Sequence, residues 1–462
     1  VCGVVGGVGD PVDAAVAALR HRGPDAIGVV RVGPFWLGHT RLAILDLDSR
    51  SDQPFSRGDV TVSYNGELWN YLGLRAELES LGESFCTDGD TEVVAAVLDR
   101  WGVAGLSRME GMFAVAWADG ETLRLARDRF GEVPLHVARV GGRVAFASEI
   151  RAVAAAGLPP AAATWVEPGT VVEIDGSGGM SVERWYDAPA APAETTLDSA
   201  AERMRMEIAS GVAERSISDV PVCALLSGGI DSSSVLSHLV SHVPDVVAFV
   251  AYRDPKSPDL LAAREVADRL GTELREIAVP APTADDLSDV VRRIEMPHKA
   301  QVEIGWACLH LARSMSADGF KVTFSGEGAD ELMASYGFSY HGVHKFGWHA
   351  YRKRTFLDQH RKNFARCNKV FLSHGVECRL PFLHTSLVEF ALSLPQSAVA
   401  SRGRPKAVMS RAYSGLLPDR VVHRPKLAFQ DGAGLKGAAA AAVGDPRRYY
   451  AAEFKRLVGG PK

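Results

Sequence analysis

The feature that most constrains this 462-residue chain is a change of periodicity near its middle. Before about residue 186 the apolar residues come in short β-type runs separated by tight turns, as in "VTVSYNGELWN", "FAVAWADGETLRLARD" and "VGGRVAFASE". Two helical patches, "DPVDAAVAALRHRG" and "DTEVVAAVLDRWG", interrupt them. Strands packed under helical layers make an α+β unit. From about 220, continuous apolar strands alternate with helices: "VPVCALLS", a Gly-Gly turn and "SSSVLSHLVSHV", then "VVAFVAY", "DLLAAREVADRLG" and "ELREIAV". That alternation predicts a doubly wound parallel α/β sheet. Between the two lies "YDAPAAPAETTLDS", which has no periodicity and reads as a linker. Beyond it Leu197, Ala201, Met204, Ile208 and Val212 recur at helical spacing. Two domains are expected, 2–190 and 191–462.

Composition excludes several classes. The six cysteines contain no CxxC pair, which argues against a disulfide framework and a zinc knuckle. A net charge of −5 gives no global pull towards nucleic acid. No apolar run reaches membrane-spanning length and no basic leader is visible, so the expectation is a cytoplasmic protein with neither membrane nor nucleic acid as partner. The local exception is 341–370, where eight Lys/Arg face one Asp; it reads as a solvated helical face. His341, His344, His349 and His360 within it have no clean metal-ligand spacing.

Two groups of residues carry chemistry. In the first half Cys2 offers a thiol whose own α-amine, if free, has a pKa near ~8 and can act as its base. Asn65 and Gly66 offer an oxyanion hole, Arg41 a bidentate clamp for an α-carboxylate, and Glu67 and Asp90 partners for an α-ammonium. The same residues have structural readings: Asn65-Gly66 is a hairpin signal, Asp90 an N-cap, and Cys2 a small core residue. In the second half "LLSGGIDSS" follows a strand and opens a helix, where small residues let backbone N–H groups reach phosphate oxygens. It lacks Walker A spacing. "FSGEGADEL" then places Glu327, Asp330 and Glu331 in a Gly-rich turn, as magnesium ligands often are.

Taken in order, "CGVVG", "RHRGPD", "GHTRLAILD", "NGELWNY", "DGDTEVV", "RDRFGEVPL" and "FASEIRAV" closely resemble the glutaminase domain of glutamine-dependent asparagine synthetases. "SGGIDSS" resembles the pyrophosphate loop of ATP pyrophosphatases, and "VECRLPFL" and "HRPKLAFQDGAG" extend the likeness through the synthetase domain. The resemblance implies an N-terminal nucleophile (Ntn) hydrolase sandwich followed by an adenylating domain. It implies Cys2 as nucleophile, Asn65 and Gly66 as oxyanion hole, and Arg41, Glu67 and Asp90 on glutamine. ATP would lie on Leu225, Ser227, Gly228, Gly229, Asp231, Ser232, Val250, Ser325 and Gly326. Asp231 and Asp330 would hold Mg2+, Glu327 would lie near the reacting carboxyl, and Lys426 on the phosphates. The implied reaction adenylates a small carboxylic acid and amidates it with ammonia from glutamine; a homodimer is also expected.

The departures cluster on the acceptor side. Where aspartate-using relatives carry a "TYDVTTIRAST" stretch, "IEMPHKAQVEIGWAC" puts Ala300 and Gln301 at the threonines and Glu303 at the arginine. "FGGY" becomes "MASY", and "PFLD" ends in His384. Glu303 and His384 are therefore expected to line the acceptor pocket. The charge reversal at Glu303 predicts an acceptor other than aspartate. Plain asparagine synthesis, intramolecular lactam closure and tRNA thiolation are the rival readings. Val1 is expected to be absent from active enzyme, because an acylated Cys2 nitrogen cannot serve as base.

Overall fold

The computed structural model describes residues 2–189, 192–335, 340–400, 405–425, 427 and 429–459. Two six-stranded antiparallel sheets lie in the first half. The first runs Thr164–Trp165, His136–Val140, Arg143–Ala147, Gly3–Val8, Phe35–Arg41, Ala26–Val32. The second runs Met180–Arg184, Thr170–Asp175, Thr122–Arg127, Gly111–Ala118, Val60–Leu68, Phe55–Arg57. Strands Phe35–Arg41 and Val60–Leu68 are buried along their whole length, because each is covered by the facing sheet on one side and by helices on the other. Edge strand Ala26–Val32 alternates half-buried and exposed residues instead, as a strand wetted on one face does.

Helices Asp13–Ala17 and Ile150–Ala155 close the outside of the first sheet around Val5, Val16, Trp36 and Val153. Tyr71–Ser80 and Asp90–Trp101 close the second around Tyr64, Leu78, Val94 and Val115. Helix, sheet, sheet, helix is the α+β sandwich that the short-strand pattern predicts.

The second half holds a five-stranded, all-parallel sheet in the order Glu273–Ala278, Val247–Tyr252, Val222–Leu225, Val322–Phe324, Glu377–Arg379. From Val222–Leu225 the next two strands are added on one side and the last two on the other. The order therefore reverses beside this central strand, and a crevice opens at its carboxyl end.

One apolar cluster continues across both halves, from Val4, Leu37 and Phe130 to Phe324, Phe364 and Leu380. Polar ties cross with it. Arg22 donates to Asn368 Oδ1 (2.8 Å), the Leu380 N–H donates to Glu132 (3.1 Å), and Glu295 accepts the N–H groups of Ile150 and Arg151 (both 2.9 Å).

Candidate active sites

Strand Gly3–Val8 pairs with Phe35–Arg41, and this places Cys2 beside Leu42 at the end of the first sheet. The Leu42 N–H donates to Sγ at 3.5 Å, and the Cys2 backbone N–H donates to Asn65 Oδ1 at 2.6 Å. Asn65 Nδ2 donates in turn to Ser148 Oγ (3.3 Å), and Arg22 Nε grips the Cys2 carbonyl (2.9 Å). Burial pushes the Cys2 thiol pKa up, so the sulfur is held as a thiol and needs a base before it can attack. Val1 lies outside the described residues.

Asn65 and Gly66 sit inside strand Val60–Leu68 rather than in a hairpin turn. Gly66 is required there by space, since a Cβ would lie 2.1 Å from the Met112 carbonyl oxygen of the neighbouring strand. Gly89, not Asp90, caps helix Asp90–Trp101. That leaves the Asp90 carboxylate free to turn inward, where it accepts the Leu68 N–H (2.9 Å) and the Tyr64 hydroxyl (3.1 Å). Burial raises its pKa to about 6.

Glu67 is 5% exposed, and burial, followed by the nearby Glu377, pushes its carboxyl well above the usual range. Among the described residues its Oε2 makes no hydrogen bond, and it lies 3.9 Å from Arg379. Two buried carboxyls with raised pKa values make a place that a cation would relieve. Arg41, by contrast, is already engaged, donating to Asp48 O (2.8 Å), Asp52 Oδ1 (2.7 Å) and Asp46 O.

The second site opens at the sheet's switch point as a cavity of about 1100 Å³. Ser227 donates its N–H to Ser232 Oγ (3.1 Å), folding the loop back on the first turn of helix Ile230–Leu239. Gly228 has φ +66°, and a Cβ there would meet Ala263 N at 2.5 Å. Gly326 abuts Ser232 N in the same way, at 2.7 Å from an added Cβ. Two loops from separate strands thus press together. Leu225, Ser227, Asp231, Ser232, Val250, Ser325, Gly326, Glu327 and Asp330 all line the cavity. Gly228 and Gly229 shape its loop without lining it, and Lys426 lies outside the described residues.

Three corrections concern the expected acceptor end. Glu303 does not line the cavity; it pairs with Lys299 on its own helix (3.0 Å). His384 does not line it either, being held by Ser386 Oγ (2.9 Å) and Glu214 (3.1 Å). Glu303 sits one helical step from the lining residue Ile304, and sequence alone does not fix which way a helix is rotated, whereas His384 caps a helix that contributes nothing to the lining. The basic stretch 341–370 is no solvated face, since Arg352, Arg366 and Lys369 are at most 1% exposed and Arg361, Lys362 and Arg366 line the cavity. Arg366 ion-pairs with Glu327 and donates to Gln301 Oε1 (2.7 Å).

Lys406 carries no recognisable motif, yet its Nζ bridges Asp231 and Asp330 (2.5 Å to the latter) from a left-handed backbone position at φ +60°. The only hint in sequence is a lysine next to the proline that breaks the chain before helix Ala407–Ala412.

Family models match the chain in two parts: a glutamine amidotransferase domain over residues 1–165, and asparagine synthase over 203–369 and 347–447. Asparagine synthetase [glutamine-hydrolyzing] 3 of Arabidopsis thaliana is 32% identical over 442 residues, covering 90% of this chain and 75% of its own. Asparagine synthetase B [glutamine-hydrolyzing] of Escherichia coli K12 is 30% identical over 459 residues, 92% and 81% of the two chains. Among solved structures, glutamine phosphoribosylpyrophosphate amidotransferase of B. subtilis aligns at 21% identity with a TM-score of 0.36, over 55% of this chain and 67% of its own.

An Ntn-type glutamine amidotransferase half joined to an ATP-pyrophosphatase-type half is the class these domains define. The chain belongs to the glutamine-hydrolysing asparagine synthetase family, and is a glutamine-dependent carbon–nitrogen ligase of that family. Among the described residues no helix is long and apolar enough to cross a membrane.

Proposed function

We propose that the two units, divided near residue 190, form one amidating machine whose acceptor is a carboxylic acid other than free aspartate. Glutamine binds with its α-ammonium between Glu67 and Asp90, and an α-carboxylate displaces part of the 45–52 loop from Arg41. Cys2, deprotonated by its own free α-amine, attacks the side-chain amide. Asn65 and Gly66 stabilise the oxyanion, ammonia leaves with the proton the amine had taken, and water cleaves the remaining thioester to glutamate and free Cys2. In the second site the acceptor carboxylate forms a bond to the α-phosphorus of ATP while the bond to the pyrophosphate oxygen breaks. Ammonia then forms the C–N bond, loses a proton, and AMP departs with the former carboxylate oxygen. Adenylation is needed because a free carboxylate does not react with an amine.

The nucleotide rests on the Ser227–Ser232 loop and the helix that follows it, with Leu225 and Val250 under the adenosine. Mg2+ fits Asp231 and Asp330, whose carboxylates already converge on one cationic point, Lys406 Nζ, while Asp231 Oδ1 is buried without a hydrogen bond among the described residues. Among the described residues no group of three or more His, Cys, Asp or Glu is placed for a metal, and two carboxylates plus phosphate oxygens suit this ion. When bound it neutralises phosphate charge. Lys426 is assigned to the phosphates on the family resemblance alone.

The observation that carries the altered acceptor is Gln301. It stands where aspartate-using relatives have a threonine, and its amide is consumed by Arg366 (2.7 Å) and Asn363 (2.6 Å). Ordinary asparagine synthesis is the second reading, favoured by the relatives at 30–32% identity. Pyrophosphate release with glutamine, ATP, Mg2+ and a panel of carboxylic acids separates them. Turnover with another acid well above that with aspartate is expected; full turnover at millimolar aspartate overturns the altered acceptor.

A further inference from the structure

Arg41 ends strand Phe35–Arg41 beside Cys2, near enough for its charge to act on the thiol. Its two terminal nitrogens donate four hydrogen bonds, which uses every N–H at that end of the guanidinium. Nη1 donates to Asp48 O (2.8 Å) and Asp52 Oδ1 (2.7 Å), and Nη2 to Leu45 O (3.4 Å) and Asp46 O. A ligand carboxylate can grip this end only if one of the four acceptors gives way.

Three of them are backbone carbonyls of a loop that is tied down at both flanks. The Asp46 carboxylate accepts the Asp88 N–H (2.9 Å) and the Ser51 hydroxyl (2.7 Å), and the Asp46 N–H donates to Asp219 Oδ2 (2.8 Å). At the other flank the Gln53 side chain accepts the Tyr64 N–H (2.7 Å) and donates to the Tyr64 carbonyl (3.1 Å).

The fourth acceptor differs in kind. Asp52 is a side-chain carboxylate, 40% exposed, and its one side-chain hydrogen bond among the described residues goes to Arg41, which is itself 7% exposed. It can leave by rotating into water, with the backbone unmoved and its charge solvated again. Its carboxylate stands on Arg41 as the α-carboxylate of an amino acid would, and holding both on one guanidinium would set two negative charges side by side.

We propose that Asp52 is an internal stand-in for the α-carboxylate of glutamine, and that it sets glutamine affinity by competing for Arg41. This rests on the reading of Arg41 as the carboxylate clamp of the glutamine site. The carbonyls of Leu45, Asp46 and Asp48 keep the guanidinium oriented through the exchange, while the Asp52 side chain swings out as the substrate enters. Only hydrogen bonds are exchanged, at a distance from the amide that Cys2 attacks. Asp52 therefore acts on the KM for glutamine and leaves kcat alone.

Glutaminase kinetics on the full chain, read as ammonia release, test this at a side chain exposed enough to be replaced without disturbing the fold. Asp52→Ala should lower the glutamine KM by about two- to fivefold, the ratio that an exposed ion pair is worth, with kcat within about twofold of the parent. Asp52→Glu restores a carboxylate and should bring KM back towards that of the parent. L-Glutaminamide, which keeps the side chain and the ammonium but has no carboxylate, should gain nothing from Asp52→Ala. A glutamine KM that is unchanged or raised in Asp52→Ala overturns the inference, as does an equal fall in KM for L-glutaminamide. An unchanged glutamine KM in Arg41→Gln overturns the carboxylate clamp itself, and the inference with it.

Discussion

The two sites are built in opposite ways. Around Cys2 nearly every polar group is already committed: the thiol is buried, Arg41 is tied to four acceptors, and Asn65 spans from Cys2 to Ser148. Around Glu327 an open cavity is lined by paired charges, Arg366 with Glu327, Arg361 with Glu167 and Lys362 with Asp358, drawn from segments distant in sequence. A site for one fixed substrate is closed and preorganised, whereas a site that takes ATP and a second molecule in sequence keeps space and charge in reserve.

Replacing Cys2 should break this comparison most sharply. In Cys2→Ala, glutamine-dependent amide formation should fall by about 10³-fold or more, while ammonia-dependent formation stays within about twofold. Amide assays with each nitrogen source measure it. Asp231→Asn should lower adenylation by about 10²-fold with either nitrogen source, read as pyrophosphate release, since it removes one of the two carboxylates offered to Mg2+.

The closed site should also be the pH-sensitive one. Asp90 has a pKa raised to about 6 and must be ionised to hold an ammonium. Glutamine KM should therefore rise by about tenfold per unit as pH falls below about 6, with the charged form lost by protonation. The same shift works against stability in the other direction. A carboxyl raised from 3.8 binds its proton more tightly folded than unfolded, so its contribution falls as pH rises from about 4 to about 6.

Smaller effects sharpen the picture. Gly66→Ala should cost ~1–3 kcal/mol in urea denaturation, because its methyl has no room against the Met112 carbonyl. Glu303→Gln removes an ion pair on its own helix, worth ~0.2–1 kcal/mol, and should change the acceptor KM by less than about twofold.

What the sequence revealed follows the same division. Strand-end and loop motifs fix their own geometry locally: Asn65-Gly66 within one strand, and the Ser227–Ser232 loop between a strand and a helix. The parallel sheet was legible because burial on two faces writes continuous apolar runs, as in Val222–Leu225 and Val247–Tyr252. The acceptor wall was not, since it depends on how helices Lys299–Ala317 and Asn363–Leu372 are rotated about their axes. One position on a helix turns a side chain by about 100°. Ala300 and Gln301 therefore line the cavity while Glu303 points away. Arg366 was hidden in a basic run whose charges looked like surface, because their carboxylate partners Glu327, Glu295 and Glu167 lie elsewhere in sequence.

The central claim is that nitrogen freed at Cys2 reaches an acyl-adenylate at Glu327 inside one chain. Mass spectrometry of the amide made from [amide-15N]glutamine in the presence of excess 14N-ammonium tests it most directly. Product carrying 15N, formed with one AMP and one pyrophosphate per amide, is the predicted result. Product carrying 14N, or ADP and phosphate in place of AMP and pyrophosphate, would contradict the account.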